Sequence, residues 1–294
     1  MFDYIYGNKR NILQNPEKFI IFVKRLLPKY LNSIPDSGAI AIFREIKKIK
    51  KESNVILETG VGASTIALFV ASYIYKKKLY TFDINPDKMM LIRQVINDAI
   101  CKPLKANIFD YWTYVPSDSL DKYTGIPALK ELKKKPQFAF LDSHHSLEHL
   151  KKEVMAFTKI ASKEFILGMD DGHMKNRFFP FGFTNMIRYK IGLKKISNTK
   201  QNISHPFFIE VNNLLKINFK YVKKLESFYQ KNYQNDLWFN YFGVDMNFDY
   251  KIDKRGIYDF RYDNIFAKLN YQGPDANNQK KLLKNRVTFF LVKK

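Results

Sequence analysis

Residues 54–65, NVILETGVGAST, constrain what this chain can fold into more than any other stretch. Val55, Ile56 and Leu57 form a short apolar run that reads as a strand buried on both faces. Glu58 ends the run, and Gly60 and Gly62 follow. Ala63, Ser64 and Thr65 then open a segment in which Ile66, Phe69, Val70, Tyr73 and Ile74 recur at helical spacing. The unit is a strand, a glycine turn and a helix. It is expected to set free backbone N–H groups and a helix N-terminus at the carboxyl edge of a sheet, where open α/β folds bind ligands. Glycine suits such a turn because a side chain would block close approach to the backbone.

A glycine pair alone is common to many α/β turns, so its surroundings decide the reading. A second apolar strand, Leu79 to Phe82, ends at Asp83, about twenty positions beyond the glycines, where a ribose-binding carboxylate is expected. Glu58, Gly60 and Gly62 together resemble motif I of the class I S-adenosylmethionine (SAM) methyltransferases, acidic-x-Gly-x-Gly. A dinucleotide fingerprint would want a small residue at position 65, which Thr65 fits poorly. The resemblance implies a Rossmann-like α/β fold: a doubly wound, mostly parallel sheet with an antiparallel last strand and helices on both faces. It also implies SAM as cofactor, held by Glu58, Gly60, Gly62, Ser64, Thr65 and Asp83.

The alternation continues along the chain. Asn85 and Pro86 are placed to cap and start a helix whose buried face is Ile92, Val95, Ile96 and Ala99. Leu104 to Ile108 reads as a weak third strand. Asp110 follows it and, by the resemblance, contacts the adenine. Phe138 to Leu141 is a fourth strand, Leu147, Leu150, Val154 and Phe157 mark a helix, and Phe165 to Met169 is a fifth strand. Residues 1–52 carry helical stripes and read as an N-terminal helical cap ahead of a SAM-binding domain over 53–294. Gly182 to Leu193 reads as a helix and Pro206 to Val211 as a strand. Residues 212–285, rich in Asn, Lys, Tyr and Phe, read as a substrate-shaping insertion, and Val287 to Val292 as the last strand.

Carboxylates close two of these strands: Asp142 the fourth, Asp170 and Asp171 the fifth. Three carboxylates at one sheet edge repel one another without a cation, and oxygen donors suit Mg²⁺, Mn²⁺ or Ca²⁺. The segments LDSHHSLEHLKKEV and MDDGHMKN resemble the metal-dependent O-methyltransferases of sugar and antibiotic tailoring, and the rhamnosyl methyltransferase and cephalosporin hydroxylase group. That resemblance makes Asp142, Asp170 and Asp171 ligands of Mg²⁺ or a similar divalent ion. The family carries a second Asp where this chain has His144. Histidine can act as a base near neutral pH, so His144 is the first candidate for that role and His173 its rival. His145 matches the family's histidine. The function implied is transfer of a methyl group to a hydroxyl of a sugar, glycan or other small molecule.

Composition bounds the alternatives. An apolar fraction of 46% over 294 residues supports a full core. No apolar run is long enough to span a membrane, the first residues lack the order of a signal peptide, and the single Cys101 fits a cytoplasmic protein. A net charge of +22 raises nucleic acid as an anionic partner. Its source is mostly Lys spread along the chain, with few of the clustered Arg that phosphate recognition favours. A nucleic-acid methyltransferase and a non-catalytic binding protein of the same fold therefore stand as alternatives to the small-molecule enzyme. Oligomeric state is not legible.

Overall fold

The computed structural model describes residues 14–28, 31–32, 34, 36–49, 54–132, 135–172, 174, 205–225 and 286–294. Helices α1 (Pro16–Arg25) and α2 (Asp36–Lys47) precede strand β1 (Val55–Thr59). Helix α3 (Ala63–Tyr75), β2 (Lys78–Phe82), α4 (Pro86–Ile96), β3 (Trp112–Val115), β4 (Phe138–Leu141), α5 (Leu147–Ile160) and β5 (Glu164–Met169) follow in alternation. Helix α6 (Phe207–Asn218), β6 (Tyr221–Leu225) and β7 (Thr288–Lys293) complete the described elements.

The seven strands form one sheet in the order β3-β2-β1-β4-β5-β7-β6. Strands β1 to β5 are parallel, and β7 enters antiparallel between β5 and β6. This is the Rossmann-like doubly wound sheet with an antiparallel last strand that the sequence implies. Successive side chains of a strand leave opposite faces, and the two hydrophobic cores follow that rule. Ile56, Phe138, Phe140, Ile166 and Phe289 pack on one face with α1 to α4. Leu57, Ala139, Leu141, Leu167 and Phe290 pack on the other with α5 and α6. Every residue of β1 and β4 is buried, as expected for central strands covered on both sides. The N-terminal helices share the first core: Phe19, Ile20 and Val23 lie in the same cluster as Ile56 and Phe69.

Chain order reverses between β1 and β4. The crevice outside the carboxyl ends of those two strands is where a doubly wound sheet binds ligands.

Two expectations are corrected. Residues 104–108 are not the third strand. Leu104 ends a short helix, Lys105 takes φ 54°, and the Asn107 side chain accepts the Phe109 N–H to start a helical turn over Ile108–Tyr111. The strand is Trp112–Val115, whose aromatic and β-branched residues fit a pleated surface better. Residues 206–211 are not a strand either. Phe207, Val211 and Leu215 fall at i, i+4 and i+8, and this apolar stripe is the buried face of α6. Asn85 caps α4 as expected, accepting from the Asp87 and Lys88 amides, with Pro86 at the first position. The helix expected over 182–193 lies outside the described residues.

Candidate functional site

The glycine turn stands at the switch point, and its amides are already occupied. Gly60 N–H donates to the Phe82 carbonyl at 2.8 Å. Val61 N–H donates to Asp83 Oδ2 at 2.8 Å. Gly62 N–H donates to Thr65 Oγ1 at 3.0 Å. The free N–H groups expected of this turn are therefore absent at these three positions. A phosphate would meet no open amide among them and would face the Asp83 carboxylate. Asp83 also accepts the Asn85 N–H at 2.7 Å through its other oxygen, and its side chain stays half-exposed. Each carboxylate oxygen can accept more than one hydrogen bond, which leaves capacity for a ligand's hydroxyls.

Glu58 lies beneath the turn, fully buried. Its carboxylate accepts Ser64 Oγ at 2.7 Å, Thr65 Oγ1 at 3.0 Å and Thr81 Oγ1 at 2.8 Å. Trp112 Nε1–H in turn donates to Thr81 Oγ1 at 2.9 Å. One buried carboxylate thus ties the ends of three strands and the first turn of α3 together. Burial pushes its pKa up to about 8 against the pull of the three hydroxyls. Glu58, Ser64 and Thr65 face inward and support the turn, while Gly60, Gly62 and Asp83 line its outer side. Thr65 is at position 65 because its hydroxyl must serve both Gly62 and Glu58.

The turn abuts the acidic edge. Gly60 has φ +81°, and a Cβ there would lie 1.8 Å from the Asp142 carbonyl oxygen. Only glycine fits this close approach of the turn to the end of β4. Strands β4 and β5 are parallel and in register from Phe138↔Ile166 to Leu141↔Met169, so Asp142 and Asp170 emerge side by side. Oxygens of Asp142 and Asp171 and a nitrogen of His145 all lie within 4.8 Å of one another. His145 Nδ1 and Asp171 Oδ2 are in direct contact. Asp171 takes φ 54°, a left-handed conformation that Asp tolerates better than most residues.

Asp170 is separated from this group by its partner. Arg286 Nε and Nη2 reach its two oxygens at 3.1 Å each, and both side chains are buried. The metal set expected from the sequence was Asp142, Asp170 and Asp171. The structure gathers Asp142, His145 and Asp171 and gives Asp170 to Arg286. The electrostatics follow. Burial, then Asp170 and Asp171, push the Asp142 carboxyl well above the usual range. Burial raises Asp170 to about 6 despite Arg286. The hydrogen bond to Asp171 raises His145. Burial is the first cause for both aspartates, and the neighbouring carboxylates add to it.

His144 is exposed, with Nδ1 3.0 Å from Ser146 Oγ and its ring 5.4 Å from that of His149. Ser146 caps α5 by accepting the His149 N–H. Beneath this loop, Glu153 of α5 accepts Ser143 Oγ at 2.7 Å and also the Ser119 hydroxyl. It thereby joins the loops that follow β3 and β4. Asp110 is misplaced by the sequence reading. It precedes β3, at the amino edge of the sheet, and the switch-point crevice lies at the other end of that strand. His173 lies outside the described residues.

Arg286 was the residue that sequence reading missed. Its signal was present: it stands just ahead of the last strand, and an antiparallel strand beside β5 starts where β5 ends, with Thr288 opposite Met169.

No protein-family model matches the chain, and no curated protein matches it. Solved structures do. The SAH-bound methyltransferase PaMTH1 of Podospora anserina is 17% identical, over 52% of this chain and 60% of that one, with a TM-score of 0.38. Cofactor-bound Rv0187 from MTB is 17% identical, over 53% and 66%, at 0.39. The O-methyltransferase from Bacillus cereus in complex with SAH is 12% identical, over 95% and 90%, at 0.43. The chain thus spans less than two thirds of the length of the first two. What the site can do rests on its own residues.

Proposed function

We propose that this chain is a SAM-dependent O-methyltransferase acting on a hydroxyl of a sugar, glycan or other small molecule, with a divalent cation at the edge beside the cofactor. The observation that carries the reading is the glycine turn itself. Its three amides are committed inside the protein, a carboxylate faces its outer side, and its first glycine touches the backbone of Asp142. A cofactor with ribose hydroxyls and no phosphate suits that surface, and NAD does not. Gly60, Gly62 and Asp83 would hold it, with Glu58, Ser64 and Thr65 keeping the turn in shape.

The cation has support in the donor set. Two carboxylates and an imidazole with ligand atoms within 4.8 Å form a group that small side-chain shifts would close around an ion. SAM supplies a methyl group on a sulfonium, so the protein's task is to position the acceptor and take its proton. A divalent ion lowers the pKa of a hydroxyl bound to it. His144 is the proposed base. Ser146 Oγ can accept His144 Nδ1–H, which leaves the Nε2 lone pair for the acceptor's proton. His173 remains its rival.

The test is calorimetry with the product SAH. SAH should bind the purified chain, Asp83→Ala should weaken it, and NAD should not compete. Tighter binding of NAD than of SAH would sink the reading. For the chemistry, EDTA should abolish methyl transfer and a divalent ion restore it. His144→Ala should lower kcat by about 10²–10⁴-fold with SAH affinity unchanged.

A further inference from the structure

The strongest unexplained feature of the site is a cation already inside it. Arg286 grips both oxygens of Asp170 at 3.1 Å, with the side chains 8% and 2% exposed. The grip is built into the sheet. The Arg286 carbonyl accepts the Gly172 N–H at 2.9 Å, and two residues later β7 locks onto β5 at Thr288↔Met169. The backbone of Arg286 is thus fixed beside β5, and its side chain is held there by Asp170. Separating a buried, doubly hydrogen-bonded pair costs about 3–5 kcal/mol, because it leaves an uncompensated charge. An ion that drew Asp170 off Arg286 would have to offset that cost, and one that shared Asp170 with Arg286 would sit beside a like charge. Asp142, His145 and Asp171 already hold their donor atoms within 4.8 Å of one another, and an ion there would take the place of the proton shared between His145 and Asp171.

We infer that Arg286 withdraws Asp170 from metal binding, and that the site takes its ion through Asp142, Asp171 and the imidazole of His145. This deepens the proposed function and rests on its claim that a divalent ion binds here. Exchanging a carboxylate for an imidazole changes which ion is preferred. Purely oxygen sites suit Mg²⁺ and Ca²⁺, whereas a nitrogen donor favours the transition series from Mn²⁺ to Zn²⁺. The structure thus assigns a transition ion rather than Mg²⁺, and gives Arg286 the part of a positioning residue that fixes the ligand set.

The experiment uses the full chain and Mn²⁺ as probe, followed by the loss of its free-ion EPR signal, with Mg²⁺ as competitor and pulsed EPR to detect directly bound nitrogen. Mn²⁺ is expected to bind with a nitrogen coupling that disappears in His145→Ala. That variant should weaken Mn²⁺ by at least about tenfold, as even outer partners of ligands do when removed, and should weaken Mg²⁺ less. Asp170→Asn takes from Arg286 the carboxylate it grips and can cost the fold. The double variant Asp170→Asn with Arg286→Met removes both charges and should keep Mn²⁺ affinity within about threefold. Three results overturn the assignment: no nitrogen coupling, equal competition by Mg²⁺, or loss of Mn²⁺ in the double variant to the extent seen in Asp171→Ala. If no divalent ion binds at all while SAH still does, Arg286 supplies the positive charge at Asp170 alone, and the metal part of the proposed function falls with the inference. If SAH fails to bind as well, the enzyme reading itself falls.

Discussion

Gly60→Ala tests whether the glycine turn and the acidic edge form one site. A methyl group at position 60 would lie 1.8 Å from the Asp142 carbonyl oxygen, and ordinary contact begins at 3.4 Å, so backbone must retreat by about 1.6 Å. The obstacle is main chain at the end of a buried central strand, which no rotamer change relieves. The φ of +81° adds strain of about 1–2 kcal/mol for an L residue, and overpacking adds about 1–3 kcal/mol. A loss of roughly 2–5 kcal/mol is expected, or roughly 3–8 °C in Tm for a chain of this size. Binding should suffer more than folding. Functional constellations tolerate about 0.5 Å, and a 1 Å error can cost about 10²-fold. SAH and Mn²⁺ affinity should therefore both collapse in a variant whose far-UV circular dichroism stays native at low temperature. Gly62→Ala is the control. Gly62 has an extended φ of −177°, and its nearest obstacle is the Leu31 carbonyl at 3.7 Å. Gly62 is the N-cap of α3, where Ala is the poorer cap, so the variant should lose only about 1 kcal/mol. Calorimetry and thermal melts of the two variants decide the matter. If Gly60→Ala bound SAH and Mn²⁺ like the parent, the turn and Asp142 could not be in the contact described.

Three further outcomes follow from the buried polar groups. Glu58 has a folded pKa of about 8 against 4.5 when unfolded, so the folded state keeps a proton that the unfolded chain releases. Its contribution is fully present below pH 4.5 and lost as pH rises through about 8, by up to roughly 4–5 kcal/mol. Urea unfolding at a series of pH values should show that slope in the parent and a flatter one in Glu58→Gln; identical slopes would refute the assignment. Trp112→Phe removes the donor to Thr81 and should cost about 1 kcal/mol, read as a shift in the urea midpoint. Lys24 and Asp36 form a buried pair at 2.9 Å between α1 and α2. Lys24→Met should cost about 3–5 kcal/mol, and adding Asp36→Leu should return most of it. A double variant no more stable than the single would argue against charge burial as the cause.

The sequence by itself determined the elements that local pattern can encode. Apolar runs of strand length alternating with helical stripes gave β1, β2, β4, β5 and the helices between them, because both periodicities are properties of neighbouring residues. Glu58, Gly60, Gly62 and Asp83 announced a glycine turn at the carboxyl edge of the sheet, and Asp142, Asp170 and Asp171 a crowded acidic edge, since parallel strands end on the same side. Local pattern misled where two periods fit the same residues. Leu104–Ile108 alternates like a strand yet ends in an Asn cap, and Phe207–Val211 looks β-rich yet buries a helical stripe. The tertiary structure alone decided which polar groups are spoken for. Two of the turn's amides are filled by the Phe82 carbonyl and the Asp83 carboxylate, which the chain's return along β2 brings within reach, while Thr65 fills the third from the first turn of the following helix. Asp170 and Asp171 are neighbours in sequence and of the same type, yet one meets Arg286 and the other His145. The separation arises because β7 pairs antiparallel with β5 and so brings Arg286 to Asp170 across 116 positions of chain, and no local pattern carries the register of a contact that distant.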